Sequence, residues 1–240
     1  MSLLTICHAV ADYTSGPRPA SIVGNTNPEA QVILRIVNKV SKKLMKAYPW
    51  NILRKEHTFT ASGSETLIDS ASMPADFDRF VPETFWDRGA NKLLSGPISP
   101  VEWAGRKAQG YSGDETKFIY RGGDILATPT VPAGQSMSFE YISDQYAKNS
   151  VGEGQSSFQA DTDVGVLDEE LITLAATYDW LVSEGLPAQN AFADFKDYFD
   201  TLQDNEEASA NIAVTADIFS RNSRLFDGSP VASRLTVLSP

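Results

Sequence analysis

The sequence predicts an α+β protein, mainly α. Helices from the N- and C-terminal parts form a bundle, a small antiparallel β domain is inserted between them, and an extended C-terminal tail follows. Three observations carry this expectation. Apolar residues recur at helical spacing in 28–48 and again in 168–204, near opposite ends of the chain. Between residues 55 and 143 they alternate with polar residues in short runs bounded by Gly and Pro. From about residue 217 neither period is sustained. The expected divisions are 1–54 (N-terminal helices of the bundle), 55–148 (inserted β-rich domain), 149–216 (acidic C-terminal helices) and 217–240 (tail).

Leu3, Leu4, Ile6, Val10 and Tyr13 fit a short first helix. The following TSGPRPASIVGNTNP is punctuated by Gly and Pro and reads as loop. Asn27 then suits an N-cap, Pro28 the first helical position and Glu29 the positive end of the dipole. Val32, Ile33, Ile36, Val37, Val40 and Leu44 share one face, with Arg35, Lys39, Lys42, Lys43 and Lys46 mainly away from it. Pro49 ends the helix near Tyr48.

Glu56 to Ala61 alternates as a strand, and Leu67–Asp69 is its expected hairpin partner across Ser62–Glu65. Lys117–Arg121 and Asp124–Thr128 flank Gly122-Gly123, a two-residue turn whose glycines tolerate positive φ. Ser136–Ser143 supplies another strand with Met137, Phe139 and Tyr141 on one face. Residues 144–160, rich in Ser, Gly and Gln, read as a linker. A helix capped by Asp163 or Asp168 follows, with Leu171, Leu174, Ala175, Tyr178, Leu181 and Val182 on one face and Gly185 and Pro187 at its end. The last helix, from about Ala188, has Phe192, Phe195, Phe199 and Leu202 at spacings of three, four and three, with Asp194, Asp197, Asp200, Asp204, Glu206 and Glu207 on its outer face, and continues to about Ala216.

Charge is unevenly distributed. Residues 1–60 hold eight basic and three acidic side chains, whereas 161–207 hold 13 acidic ones and a single cation, Lys196. The acidic part argues against general nucleic-acid binding, because it repels phosphate. The basic and acidic helical faces are complementary, within a subunit or between neighbours in an oligomer. No apolar run approaches 18 residues, so no membrane span is expected. MSLLTICHAVADYTS lacks a basic leading segment and makes a poor secretory signal. The lone Cys7 excludes an intrachain disulfide.

Few residues offer chemistry. The two histidines, His8 and His57, cannot make a His-rich zinc site, and Cys7 beside His8 is not metal-ligand spacing. No phosphate-binding or dinucleotide glycine motif and no nucleophile elbow occur. No cofactor, metal or catalytic residue is therefore expected. The one enzymatic alternative is glycan cleavage, which needs two carboxylates across a sugar. Glu83, Asp87 and Glu102 lie near Trp86 and Trp103. Their structural alternative is pairing with Arg79, Arg88 or Arg106, which would keep them ionised and unfit as general acids.

The densest stretch is Met73–Ala108, MPADFDRFVPETFWDRGANKLLSGPISPVEWAGRKA. Four prolines exclude one long helix or a central strand, and the aromatics exclude a solvated linker. An ordered connector pinned by Phe77, Arg79, Phe80, Phe85, Trp86, Arg88 and Trp103 is expected, with Trp86 either in the core or on a partner surface.

DFDRFVPETFWDR followed by LxGPISPxEW resembles a stretch of tailed-phage head-to-tail adaptor proteins, also called connector or tail accessory proteins. The likeness continues in layout through DTDVGVLDEELITLAATYDWLVSEGLPAQNAFADFKDYFDTLQ and spans most of residues 25–210. It implies a non-enzymatic virion protein, made in the bacterial cytoplasm and placed at the head-to-tail interface. It further implies a ring of twelve copies docked on the portal, through which double-stranded DNA passes in packaging and ejection. The ring's other partner is a downstream tail or nozzle protein. In relatives the C-terminal tail reaches into the portal. Here Phe219, Arg221, Arg224, Leu225, Phe226, Val231, Arg234, Leu235, Val237 and Leu238 would fill that role; the alternative is a frayed terminus. Peptidoglycan cleavage, credited to some tail accessory proteins, is the implied alternative activity. An acidic helical face would suit a DNA channel wall if it faces inward.

Overall fold

The structure, a computed structural model, describes residues 2–13 and 18–222, with 208–222 by backbone alone. Helix α1 (Leu3–Tyr13) buries Leu3, Ile6, Cys7, Val10 and Ala11 in one stripe at helical spacing. Its first turn is held by a segment far along the chain. Leu3 N–H donates to the Asp163 carbonyl at 2.7 Å, and Leu4 N–H to that of Asp161 at 3.2 Å. The Asp161 carboxylate in turn accepts from the Ile22 and Val23 N–H groups.

Helix α2 (Pro28–Ala47) starts as its residues dictate. Asn27 caps it, accepting from Glu29 N–H at 2.9 Å, and Pro28 occupies the first turn. Ile33, Ile36, Val37, Val40 and Leu44 are buried, whereas Arg35, Lys39, Lys42, Lys43 and Lys46 are exposed. Past Pro49 a 3-10 turn (Asn51–Leu53) leads into the β region.

Two antiparallel sheets enclose the second core. β1 (Arg54–Thr60), β3 (Phe77–Phe80), β4 (Trp86–Asp87) and β5 (Lys92–Leu93) belong to the first, and β2 (Thr66–Ile68) to the second. After helix α3 (Pro100–Gln109) come β6 (Lys117–Arg121) and β7 (Asp124–Thr128), which complete the second sheet in the order β2-β7-β6. β8 (Ser136–Ser143) is the spine of the first. It pairs along one side with β1 and along the other with β3 and then β4. Met137, Phe139 and Tyr141 point to a common core with Ile125 and Ala127 of β7 and with Phe85 and Phe118. Gly122 and Gly123, at φ 65° and 96°, make the tight β6–β7 turn that their sequence demands.

The expected Glu56–Asp69 hairpin does not form. β1 pairs with β8 in the register His57 opposite Phe139, while β2 pairs with β7. The segment between them crosses from one sheet to the other. Gly63, at φ 81°, comes so close to Ala133 that an added Cβ would lie 3.0 Å from the alanine's own. The connector also holds an unexpected helix, α3. Ser99 caps it through the Glu102 N–H, Pro100 opens it, and Gly110 in the left-handed region ends it.

Residues 144–160 are not a linker. β9 (Ala147–Lys148), β10 (Gly154–Gln155) and β11 (Val164–Gly165) form a small antiparallel sheet. Tyr146, Ala147 and Phe158 are buried there, and the Asp163 carboxylate accepts from the Gln159 and Ala160 N–H groups. Polar composition hides this order because the strands are short and side chain–backbone bonds replace a long ladder.

Helix α4 (Glu169–Ser183) is capped by Asp168 and ends in a Schellman turn. There Leu186 N–H donates to the Leu181 carbonyl and Gly185 N–H to that of Val182. It packs against both α1 and α2. Its buried face is therefore broader than one stripe and takes in Ile172, Thr173, Ala176 and Thr177, whereas Val182 is exposed. Helix α5 (Gln189–Asn222) runs past Ala216, so Phe219 and Arg221 lie in helical backbone. The other tail residues, Arg224, Leu225, Phe226, Val231, Arg234, Leu235, Val237 and Leu238, lie outside the described residues. Residues up to Lys196 form one compact unit and α5 from Asp197 belongs to a second. With 39% helix and 22% strand in antiparallel sheets, the class is mixed α+β. Among the described residues no helix is long and apolar enough to cross a membrane.

Candidate interaction site on the aromatic connector

Phe77, Phe80 and Phe85 converge on Phe139, with ring centroids 6.4, 5.2 and 5.3 Å away. Edge-on and tilted aromatic contacts of this kind add to the area they bury. Trp103 is buried on α3. Arg79 ties the connector to α2. Its guanidinium donates to the Met45 and Tyr48 carbonyls at 3.3 and 3.0 Å, where the helix end leaves acceptors unsatisfied, and to Asp78 at 3.1 Å. These residues act as the framework.

Trp86 does not. It is 41% exposed while its neighbour Phe85 is 3% exposed, because successive strand residues face opposite sides. It stands on the outer face of the first sheet, opposite Ser138 of β8. The chain breaks pairing beside it. Between β3 and β4, Glu83 sits at φ 62°, and the Thr84 hydroxyl donates to the Val81 carbonyl and accepts from Glu140 N–H. The result is an open cleft lined by Glu56, Glu83, Thr84, Trp86, Arg88, Asn91, Ser138 and Glu140. Glu56 and Glu140 lie directly opposite each other across β1 and β8. Like charges so placed repel, and each has a cation at hand: Arg88 binds Glu56, and Arg54 stands 3.7 Å from Glu140. A second, more apolar groove lies between Phe77, Phe80, Pro82, Pro97 and Tyr120, rimmed by Asp78 and Arg79.

The three carboxylates considered for glycan cleavage are not brought together at this cleft. Glu83 lines it. Asp87 is buried and accepts from Ala90 N–H at 2.9 Å. Glu102 accepts from Lys117 at 2.8 Å, with Arg106 at 3.7 Å. The Lys117 hydrogen bond holds Glu102 below its ordinary carboxyl value against the opposing effect of burial, with lesser help from the Lys117 and Arg106 charges. Of the expected arginine pairings, Arg106–Glu102 forms, whereas Arg79 and Arg88 turn to Asp78 and Glu56. His57 packs against Phe59 and Phe139 on the inner face, and burial lowers its imidazole. Cys7 is buried in α1, its thiol pushed up to about 12 by desolvation and, less, by Asp161.

One polar centre gave no signal in the sequence. Asp76 is 9% exposed, and its carboxylate accepts from Tyr141 Oη at 2.9 Å, Ser143 Oγ at 2.6 Å and Lys55 Nζ at 2.6 Å. Burial alone would raise its carboxyl, but these three bonds and the Lys55 charge hold it below the usual 3.8. The partners come from β1 and β8, and Asp76 itself directly precedes β3, so only the folded register unites them.

Replacing Trp86 by Ala is expected to change stability by less than about 1 kcal/mol in urea denaturation, as for surface positions generally. A loss of about 3 kcal/mol or more would instead make this ring part of the core.

No family model matches the chain, and no curated protein matches it.

Proposed function

We propose that the chain is a structural virion protein, a head-to-tail adaptor whose copies form a ring, twelve in number, on the portal. The ring extends the DNA channel and carries the tail or nozzle protein. Helices from the two ends of the sequence act as its bundle, with the β module inserted, and residues from Phe219 onward act as the portal-docking tail. The observation that carries this reading is the division of labour within the connector. Phe77, Arg79, Phe80, Phe85 and Trp103 lock a rigid β module, while Trp86 and Tyr120 remain exposed at 41% and 42% beside open grooves. Exposed aromatics on a rigid frame are what protein-docking surfaces use. The packing of α4 on α1 and α2 also supports the layout that the adaptor resemblance implies. The functional test is particle mass and symmetry, by mass photometry and negative-stain imaging, with and without the portal protein of the same virus. A closed ring stacked on the portal is expected; a monomer indifferent to the portal overturns the proposal.

Removal of residues 219–240 is expected to leave a folded chain that no longer joins the portal. Pull-down on immobilised portal and circular dichroism check the two halves of that statement. A truncated chain that still joins would refute the docking role.

One observation favours the second reading, a glycan hydrolase. Glu56, Glu83 and Glu140 do share a cleft with an exposed tryptophan. Turbidity loss in a peptidoglycan suspension, abolished by Glu83→Gln, would establish it; no turbidity loss with the intact protein removes it.

A further inference from the structure

The exposed side of α2 is a cationic ridge. Arg35, Lys39, Lys42, Lys43 and Lys46 stand at intervals of four, three, one and three residues, which at 100° per residue keeps them along one side of the helix. At 1.5 Å per residue the row is about 16 Å long. Lys39, Lys42, Lys43 and Lys46 line a surface groove with Ala47 at its end.

The ridge already holds carboxylates presented by neighbouring elements. Asp179 of α4 binds Lys39 at 2.7 Å and Lys43 at 3.5 Å, and Asp78 of β3 binds Lys46 at 3.0 Å. Asp144 adds a third carboxylate near Lys42. Three carboxylates do not balance five cations. The lysine side chains at 39, 43 and 46 are still 51%, 64% and 55% exposed. The ridge therefore has the geometry and the residual charge to accept more anionic groups at helical spacing.

Helix α5 presents such a row. Asp194, Asp197 and Asp204 are all exposed and stand at positions i, i+3 and i+10. They fall on one side of the helix, over a length of about 15 Å. The two rows match in length and are opposite in sign.

We propose that the Asp194–Asp204 row of one copy docks on the Arg35–Lys46 ridge of a second copy, as the repeating contact of a self-assembled ring. The contact is head-to-tail, so each copy offers one ridge and one acidic row, and such contacts close into rings when the rotation allows. This deepens the ring reading given above and rests on it. It also turns these three carboxylates toward a neighbour rather than toward a DNA channel.

Exposed ion pairs are individually weak, about 0–1 kcal/mol. A row of them is strongly salt-dependent and selective, and reversed charges are heavily penalised. The test uses the full chain in sedimentation velocity. At about 0.01 M salt, where screening acts over ~30 Å, the protein is expected to sediment as oligomers; at about 1 M, where it acts over ~3 Å, as monomers. Lys42→Glu with Lys43→Glu in one protein, and Asp197→Lys with Asp204→Lys in another, should each weaken self-association about a hundredfold. Mixed in equal amounts they should assemble again, because every ridge then meets a row of opposite charge. Rescue between two chains separates docking between copies from pairing within one chain, which mixing cannot restore. Circular dichroism of each reversed protein checks that it is folded.

Oligomers that ignore salt, reversed proteins that assemble like the parent, a mixture that stays dispersed, or a parent that is monomeric in low salt each overturn the proposal. Portal binding distinguishes this failure from that of the adaptor role. If parent and reversed proteins alike form rings on the portal, the adaptor role survives without this contact. If the charge swap behaves as expected but the parent ignores the portal, the contact survives without the adaptor role.

Discussion

Phe139→Ala is expected to be the most damaging single substitution in the β module, costing about 3–5 kcal/mol, the range for truncating a buried phenylalanine. The ring is 1% exposed, at the centre of β8. Phe59, Phe77, Phe80, Phe85 and Tyr141 surround it, with centroids between 5.2 and 6.4 Å away. These rings come from β8 itself, from β1 and β3 that flank it and from the connector, so no single neighbour can move to fill the hole. Urea denaturation followed by tryptophan fluorescence gives the number. A loss below about 1 kcal/mol would mean that the module repacks and that the aromatic cluster is not its core.

Asp76→Ala should be the second. It strips the acceptor from a buried tyrosine hydroxyl and a buried serine hydroxyl and leaves the Lys55 ammonium without this partner. Each orphaned donor costs about 1–3 kcal/mol. Because Lys55 is 46% exposed and water can solvate it, the expected total is about 2–4 kcal/mol, less than for a fully buried pair. The parent should show the same interaction as a pH dependence. Asp76 has a folded-state value below the 3.8 of the unfolded chain, so the unfolded state binds the proton more readily. Its contribution is present above 3.8 and is lost as pH falls through the folded-state value. The Ala variant should therefore lose less stability than the parent over that acid range. Equal slopes would show that Asp76 is not held ionised by its partners.

Much of the helical frame was legible because its signals are local. Asn27-Pro28-Glu29, Asp168 and the Gly185 turn act over one helical turn, and each behaves as its side chain requires. The Gly122-Gly123 hairpin is local too. What failed was non-local or masked. Glu56–Ala61 was recognisable as a strand, but its partner is β8, about eighty residues away, and no turn signal reports a pairing at that distance. Helix α3 was concealed by its own proline. Pro100 is a breaker inside a helix but an opener after Ser99. At the site, the period-two rule separates Phe85 from Trp86, yet it could be applied only once β4 was known to be a strand. The Asp76 centre was invisible for the same reason as the β1–β8 pairing, since Lys55, Tyr141 and Ser143 are distant in sequence.

The backbone bonds from Leu3 and Leu4 to Asp163 and Asp161 have a consequence for biosynthesis. Helix α1 leaves the ribosome well before its anchor and the α4 face it packs on, which follow about 160 residues later. Until then Leu3, Ile6 and Val10 have no native α4 surface to cover them. β1 waits likewise for β8. At about 5–20 residues per second, that interval lasts roughly 8–30 s, long enough for holding chaperones to engage the nascent chain. Fragments ending before residue 160 should be recovered as aggregates, whatever the stability of the finished protein.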